Sequence, residues 1–96
     1  HSLENIVYCE LLRRGYDVAI GKIASLELDF VATKANEKLY VQVTESMLEE
    51  TTRNRELKPL QQIPDNYTKM VITLDKALDE EYEGIHVVSL MDWLLN

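Results

Sequence analysis

The order of the hydrophobic patterns predicts an α/β domain with a mixed central sheet and helices on both faces. Two alternating runs, 26–33 and 39–44, are separated only by residues 34–38, a spacing typical of an antiparallel hairpin. A helical pattern then connects the second run to the continuously apolar run 69–74. Such a strand–helix–strand connection favours a parallel pair. A sheet buried in this way needs helices on both of its faces.

The first element is predicted to be a helix that begins after Ser2, a good N-cap residue, and stops at Gly15. Its apolar positions are Leu3, Ile6, Val7, Cys9, Leu11 and Leu12. Cys9 lies among them, and we therefore expect it to pack as a small hydrophobic residue. The next run, 16–23, is predicted to be a strand, and the glycine at position 21 indicates a bulge or an edge strand.

The hairpin carries the polar side chains of most interest. Strict alternation divides the residues of its first strand between the two faces of the sheet. One face carries Leu26, Leu28, Phe30 and Ala32, and the other carries Glu27, Asp29, Val31 and Thr33. In its second strand, Leu39, Val41 and Val43 alternate with Tyr40, Gln42 and Thr44. If Ala35 and Asn36 form a two-residue turn, Asp29 faces Gln42 and Glu27 faces Thr44. Gln42 can then form a hydrogen bond across the strands.

The remainder of the chain predicts a helix, two strands and a closing helix. The second helix begins near Glu49 or Thr51, buries Leu57, Leu60 and Ile63, and is expected to form ion pairs at i,i+3 and i,i+4 spacing. Residues 75–84 are expected to form a charged loop with one helical turn, followed by a strand at 84–89. The last helix begins at Ser89 or Leu90 and turns three residues inward: Leu90, Trp93 and Leu94.

Length and composition indicate one small domain, residues 1–96, with a single core. No apolar run approaches the roughly 20 residues of a membrane span, and the first residues do not show a signal-peptide pattern. One cysteine and two histidines give no zinc-ligand spacing. The single cysteine favours a cytoplasmic protein, and the lack of an initiator Met predicts a domain of a longer protein.

Ten basic and 17 acidic residues give a net charge of -7. Nucleic-acid binding modules usually carry a basic surface, because neutralising phosphates drives their affinity. The acidic segment 79–83 would repel DNA, and we do not expect nucleic acid to bind the isolated domain. The sequence also contains no Gly-x-x-x-x-Gly-Lys-Ser/Thr motif, so any ATP binding would belong to another part of a longer protein.

An acid in the first helix, an Asp on the second strand and a polar pair on the third resemble the restriction-endonuclease-like fold, the PD-(D/E)xK superfamily. Six segments spread over the whole chain resemble one domain of unknown function, which follows the ATPase module in many bacterial and archaeal AAA+-type ATPases: 4–8, 11–16, 27–30, 41–44, 53–56 and 65–69. The resemblance implies two partners, the protein's own ATPase module and a further protein. No membrane partner is expected, because no apolar run is long enough to span a membrane.

In this superfamily, carboxylates hold Mg²⁺, which polarises the phosphoryl group, and a lysine stabilises the developing charge. The resemblance assigns five positions to that site: Glu4 to the acid of the first helix, Asp29 to the metal-binding Asp, Gln42 to the second acid, Thr44 to the lysine and Gln61 to a helix Gln. Gln42 and Thr44 depart from the pattern, since a neutral amide replaces an anionic ligand and a hydroxyl replaces the cation. The resemblance therefore implies a catalytically degenerate accessory or interaction domain that needs no cofactor.

Two alternatives stay open. The domain could be a divergent Mg²⁺-dependent nuclease, active in the full protein, in which Glu4, Asp29 and Gln42 converge within metal-coordination distance. It could also be a structural module with no partner beyond its own chain. In that case Asp29 and Glu27 would simply face solvent, and the helix dipole alone would favour Glu4 near a helix start.

Overall fold

The computed structural model describes residues 2–23, 25–76 and 79–96. The elements are, in order, α1 (Leu3–Arg13), β1 (Asp17–Ile23), β2 (Leu26–Lys34), β3 (Glu37–Thr44), α2 (Glu50–Gln61), β4 (Thr68–Thr73), β5 (Asp79–Tyr82), β6 (Ile85–Ser89) and α3 (Leu90–Leu95). The strands form one six-stranded sheet in the order β1-β2-β3-β4-β6-β5. Among the described residues, none of the helices has the length and apolar character needed to cross a membrane.

The sheet is mixed and carries helices on both faces, as the sequence predicts. β3, β4 and β6 are parallel, whereas β1, β2 and β3 pair antiparallel and β5 pairs antiparallel with β6. One face packs against α1 and α3 through Val7, Leu11, Phe30, Ala32, Val41, Val43, Ile72, Leu90 and Trp93. The other packs against α2 through Leu28, Tyr40, Met47, Leu57, Leu60, Ile63, Val71, Ile85 and Val87.

The ends of α1 lie where the sequence predicts, but the side chain of Cys9 does not pack as the sequence predicts. The Ser2 side chain accepts a hydrogen bond from the backbone N–H of Asn5 at 3.1 Å, and Gly15 ends the helix with φ +94°. Cys9 is exposed, so the prediction that it packs in the core is wrong. The buried stripe of α1 is Val7 and Leu11, and a shift of two residues rotates a side chain by roughly 200° around a helix. Cys9 therefore points away from the sheet.

The crossover from β3 through α2 to the parallel strand β4 is confirmed; Leu57 and Leu60 of α2 are buried, and so is Ile63, which lies just after the helix. The predicted ion pairs of α2 are wrong for the described residues. There the helix shows a single pair between adjacent residues, Arg55 and Glu56, at 3.8 Å. Arg53 instead donates to the backbone carbonyls of Met47 and Leu48, which ties α2 to the loop before it.

The expected charged loop at 75–84 is wrong, because Asp79–Tyr82 forms strand β5. The loop that joins β5 to β6 contains only Glu83 and Gly84, with φ of 51° and 85°. Two successive residues with positive φ form the turn that fits the twist of a tight hairpin. Positions 77 and 78 of the expected loop lie outside the described residues. The closing helix is confirmed, with Ser89 as its N-cap and both Leu90 and Trp93 buried.

A bulge in β2 overturns the strict alternation predicted for the hairpin. Ala19 of β1 pairs with Val31, but Gly21 pairs with Leu28, so β2 contains one extra residue between these pairs. As a result Leu28 packs on the α2 face of the sheet, whereas Phe30 packs on the α1 face. Gly21 is needed at this point, because a Cβ atom there would lie 2.6 Å from Cγ2 of Val31.

Gly21→Ala should therefore destabilise the fold by about 1–3 kcal/mol, since the added methyl group overpacks against the bulge. Urea unfolding followed by circular dichroism measures the change. Ile20→Ala is the matched control in the same strand; Ile20 is 79% exposed and should change the unfolding free energy by less than about 0.5 kcal/mol. Equal effects of the two substitutions would contradict the packing argument.

Candidate functional site

The candidate site lies where the main-chain pairing of β2 and β3 ends. The ladder runs from the turn at Ala35 and Asn36, confirmed with its predicted register, to the pair Phe30 and Val41. Beyond it, side chains replace the backbone pairing. The backbone N–H of Asp29 donates to Oε1 of Gln42 at 2.8 Å, and the N–H of Val43 donates to Oδ2 of Asp29, also at 2.8 Å. The predicted cross-strand bond of Gln42 is thus present, with the backbone of Asp29 as its donor.

Gln42 also connects the sheet to α2. Its side chain is buried, with 5% exposed, and Nε2 donates to the backbone carbonyl of Glu56 at 3.3 Å. One amide group therefore joins β2, β3 and α2. Burying an amide without partners is costly, and these two bonds supply both an acceptor and a donor. The arrangement requires the amide, because a carboxylate at position 42 could not donate to the carbonyl of Glu56.

The bulge turns Asp29 into the gap between the two strands, where it is partly buried. Burial raises the pKa of its carboxyl group, the hydrogen bond from Val43 lowers it, and the charges of Glu4 and Glu27 raise it further. The net pKa is above its usual value. No lysine, arginine or histidine forms an ion pair with Asp29 within the described ranges.

Glu56 is a member of the site that the sequence reasoning missed. The charged sequence of the second helix predicts a solvated face for Glu56, but only 16% of its side chain is exposed. Burial, followed by the charge of Asp29, raises the pKa of its carboxyl group. A signal for this position exists in the sequence, since Glu56 and the core residue Leu60 are separated by one helical turn and share a face of α2.

The other predicted site residues are distributed around this centre. Glu4 and Glu27 are exposed, and their charges act on Asp29. Thr44 is half-buried and its hydroxyl donates to the carbonyl of Ser46 at 3.3 Å, which closes a local turn. Gln61 is exposed and lines a separate cavity beside Asp65, near the start of β4. The structure therefore brings Asp29 and Gln42 together, with Glu4 nearby, but does not add Gln61.

The arrangement is rich in carboxylates but does not form a ready metal centre. Among the residues that the structure describes, no group of three or more His, Cys, Asp or Glu side chains is placed to hold a metal ion. Oε1 of Gln42 already accepts a hydrogen bond, and so does Oδ2 of Asp29. The assignment of Glu4, Asp29 and Gln42 as metal ligands stays a prediction.

Comparison with known proteins found an uncharacterized protein of Haemophilus influenzae that is 50% identical to this chain over 95 residues. The alignment covers 99% of the chain but 23% of the relative, so the chain spans about a quarter of that protein's length. No family model matches the sequence.

Asp29 provides a test of this geometry. Asp29→Ala leaves the buried N–H of Val43 without its acceptor and should cost about 1–3 kcal/mol of stability. Asp29→Asn keeps an oxygen acceptor and removes a half-buried charge, so it should be at least as stable as the parent chain at neutral pH. Urea unfolding of both variants measures these changes, and a tolerated alanine would contradict the bridging role.

The difference in unfolding free energy between the parent chain and Asp29→Asn should depend on pH. Because folding raises the pKa of Asp29, the group's stabilising contribution is complete only below its ordinary value of 3.8 and disappears as the pH rises through the folded-state pKa. Urea unfolding measured at a series of pH values, from neutral to acidic, should therefore show that the parent chain gains stability relative to Asp29→Asn as the pH falls. Loss of the Asp29 charge also lowers the pKa of Glu56, which acts in the same direction. A difference that does not change with pH would contradict the raised pKa.

Proposed function

We propose that this chain is a restriction-endonuclease-like domain whose hydrolytic site is degenerate, and that it serves an AAA+-type ATPase as an accessory or interaction domain. The observation that carries the proposal is the use of Asp29 and Gln42 as structural links. Their polar atoms hold β2, β3 and α2 together, where a nuclease would present ligands to Mg²⁺.

The charges around Asp29 and the hydrogen bond of Thr44 support the same conclusion. A phosphodiester-cleaving site needs positive charge close to the phosphate, supplied by a metal ion, a lysine or both. Asp29 forms no ion pair within the described ranges, and its pKa is raised by burial and by two further carboxylates. Thr44, at the position that the resemblance assigns to a lysine, is used in a local turn.

The link to an ATPase rests on the segments that resemble the domain of unknown function of AAA+-type proteins. The length of the H. influenzae relative agrees with it, since more than three quarters of that protein lies outside the aligned region and could hold an ATPase module. The chain contains no phosphate-binding loop, so ATP hydrolysis would belong to that module.

A Mg²⁺-dependent nuclease is the second candidate, and Glu56 is the observation that favours it. Glu56 adds a half-buried carboxylate close enough to Asp29 for the charge of Asp29 to raise the pKa of Glu56. Asp29, Glu56 and Glu4 could therefore supply the anionic ligands that Gln42 cannot. This reading requires the three carboxylates to move closer together when the ion binds.

A metal titration followed by NMR distinguishes the two candidates. On the ¹⁵N-labelled chain, we expect no saturable shift of the amides of Asp29, Gln42 and Val43 with millimolar Mg²⁺ or Mn²⁺, because no preformed site is present among the described residues. Asp29→Asn and the exposed control Asp92→Asn should respond to the ions as the parent chain does.

Saturable shifts that Asp29→Asn abolishes and Asp92→Asn keeps would overturn the degenerate site and establish the second candidate. Incubation of the full-length protein with supercoiled plasmid, Mg²⁺ and ATP provides an independent readout. Nicking that depends on Asp29 would contradict the proposal, whereas intact plasmid together with unchanged ATP hydrolysis in Asp29→Asn is the expected result.

A further inference from the structure

A groove of about 430 Å³ lies beside the candidate site, at the carboxyl ends of β3 and β4 and next to the first turn of α1. Its lining residues are Ser2, Leu3, Glu4, Ile6, Val43, Thr44, Glu45 and Leu74. Ile6 is 39% exposed and Leu74 is 50% exposed, so the groove offers an apolar contact to a ligand. In open α/β sheets this end of the parallel strands is the usual place for a ligand to bind.

The charge around the groove has one sign. Both charged lining residues, Glu4 and Glu45, are acidic and exposed. The carboxylate of Asp29 accepts a hydrogen bond from the backbone N–H of Val43, which lines the groove. The charge of Glu4 contributes to the raised pKa of both Asp29 and Glu56. Within the described ranges, no ion pair neutralises any of these carboxylates except the 3.8 Å contact of Glu56 with Arg55.

This combination excludes several occupants. Phosphate groups of a nucleic acid would be repelled by the carboxylates. The N-terminal end of α1 would favour an anion, but Ser2 already caps it and Glu4 in the first turn offsets its partial positive charge. A wholly apolar ligand would remove water from Glu4 and Glu45 without giving them a partner. A second copy of the chain carries the same net charge of -7, which opposes self-association.

We propose that the groove binds a basic amphipathic segment of a separate protein, with an apolar side chain placed between Ile6 and Leu74 and lysine or arginine side chains paired with Glu4 and Glu45. The inference rests on the proposed function, because it names the surface and the partner chemistry of that interaction domain. The neighbouring carboxylates repel one another, and a bound lysine or arginine relieves this repulsion. The groove should therefore select basic segments.

The first experiment uses a synthetic amphipathic helical peptide made of leucine and lysine as the probe. Titrated into the ¹⁵N-labelled chain, it should produce saturable shifts confined to the first turn of α1, the end of β3 and Leu74, and these should weaken with added salt. The matched leucine–glutamate peptide and a lysine-only peptide test the charge and the apolar contact separately, and both should bind more weakly.

Variants with matched controls place the contact on the groove. Glu4→Gln should weaken binding of the leucine–lysine peptide about two- to fivefold, as expected for a charge pair at the rim of an interface. Leu74→Ala should weaken it by more than about fivefold, as expected for a buried anchor contact. Glu83→Gln and Leu95→Ala remove the same groups from exposed positions elsewhere and should leave the affinity unchanged.

Three results would overturn the proposal: no saturable shift, equal losses in the groove variants and their controls, or equal binding of the glutamate peptide. The full-length protein tests the source of the occupant. If the 96-residue chain binds the peptide but the full-length protein does not, a segment of the same polypeptide covers the groove and a separate partner is excluded. Metal binding and plasmid nicking do not enter these readouts, so the groove and the degenerate site can fail independently.

Discussion

The local structure of this domain depends on how β2 and β3 separate. Backbone pairing stops at Phe30 and Val41, and polar groups that lose their partners inside a protein must find others. The side chains of Asp29 and Gln42 provide them, one for each strand. The bulge makes this possible, since the extra residue in β2 turns Asp29 into the gap and moves Leu28 to the opposite core. Gly21 in turn makes room for the bulge.

This solution concentrates negative charge at one end of the sheet. Asp29 and Glu56 are both half-buried, and the charge of one raises the pKa of the other. Removing carboxylates from water costs free energy unless cations or hydrogen bonds compensate. Asp29 has its bond from Val43 and Glu56 has a distant contact with Arg55, so the compensation is incomplete. A domain that keeps such charges beside an open groove is suited to contact a positively charged surface.

The two helices on one face of the sheet, α1 and α3, are held together by a separate cluster around Arg14. Its guanidinium donates to the carbonyls of Trp93 and Asn96 at 2.5 and 3.0 Å, pairs with Glu10 at 2.7 Å, and lies 4.5 Å from the centre of the Trp93 ring. These contacts join the end of α1 to α3. Since a planar guanidinium can make several directed bonds and a stacking contact at once, one residue fixes the relative position of both helices.

The sequence alone determined the features that depend on local periodicity and end signals. The N-caps Ser2 and Ser89, the stop at Gly15, the two-residue turn at Ala35 and the parallel crossover all follow from such patterns. It also located Asp29 and Gln42 as cross-strand neighbours, because hairpin register follows from turn length.

Only the tertiary structure decided the features that depend on contacts between helices and strands that are distant in the sequence. The bulge reversed the face of Leu28, and a periodic pattern cannot register one extra residue. Cys9 is exposed because α1 buries a narrow stripe, and β5 forms because Glu83 and Gly84 adopt positive φ in a tight hairpin. Glu56 joined the site, and Gln61 lay apart from it, because the packing of α2 on the sheet sets which helix residues face β2 and β3. Packing between distant segments, rather than local pattern, determines such contacts.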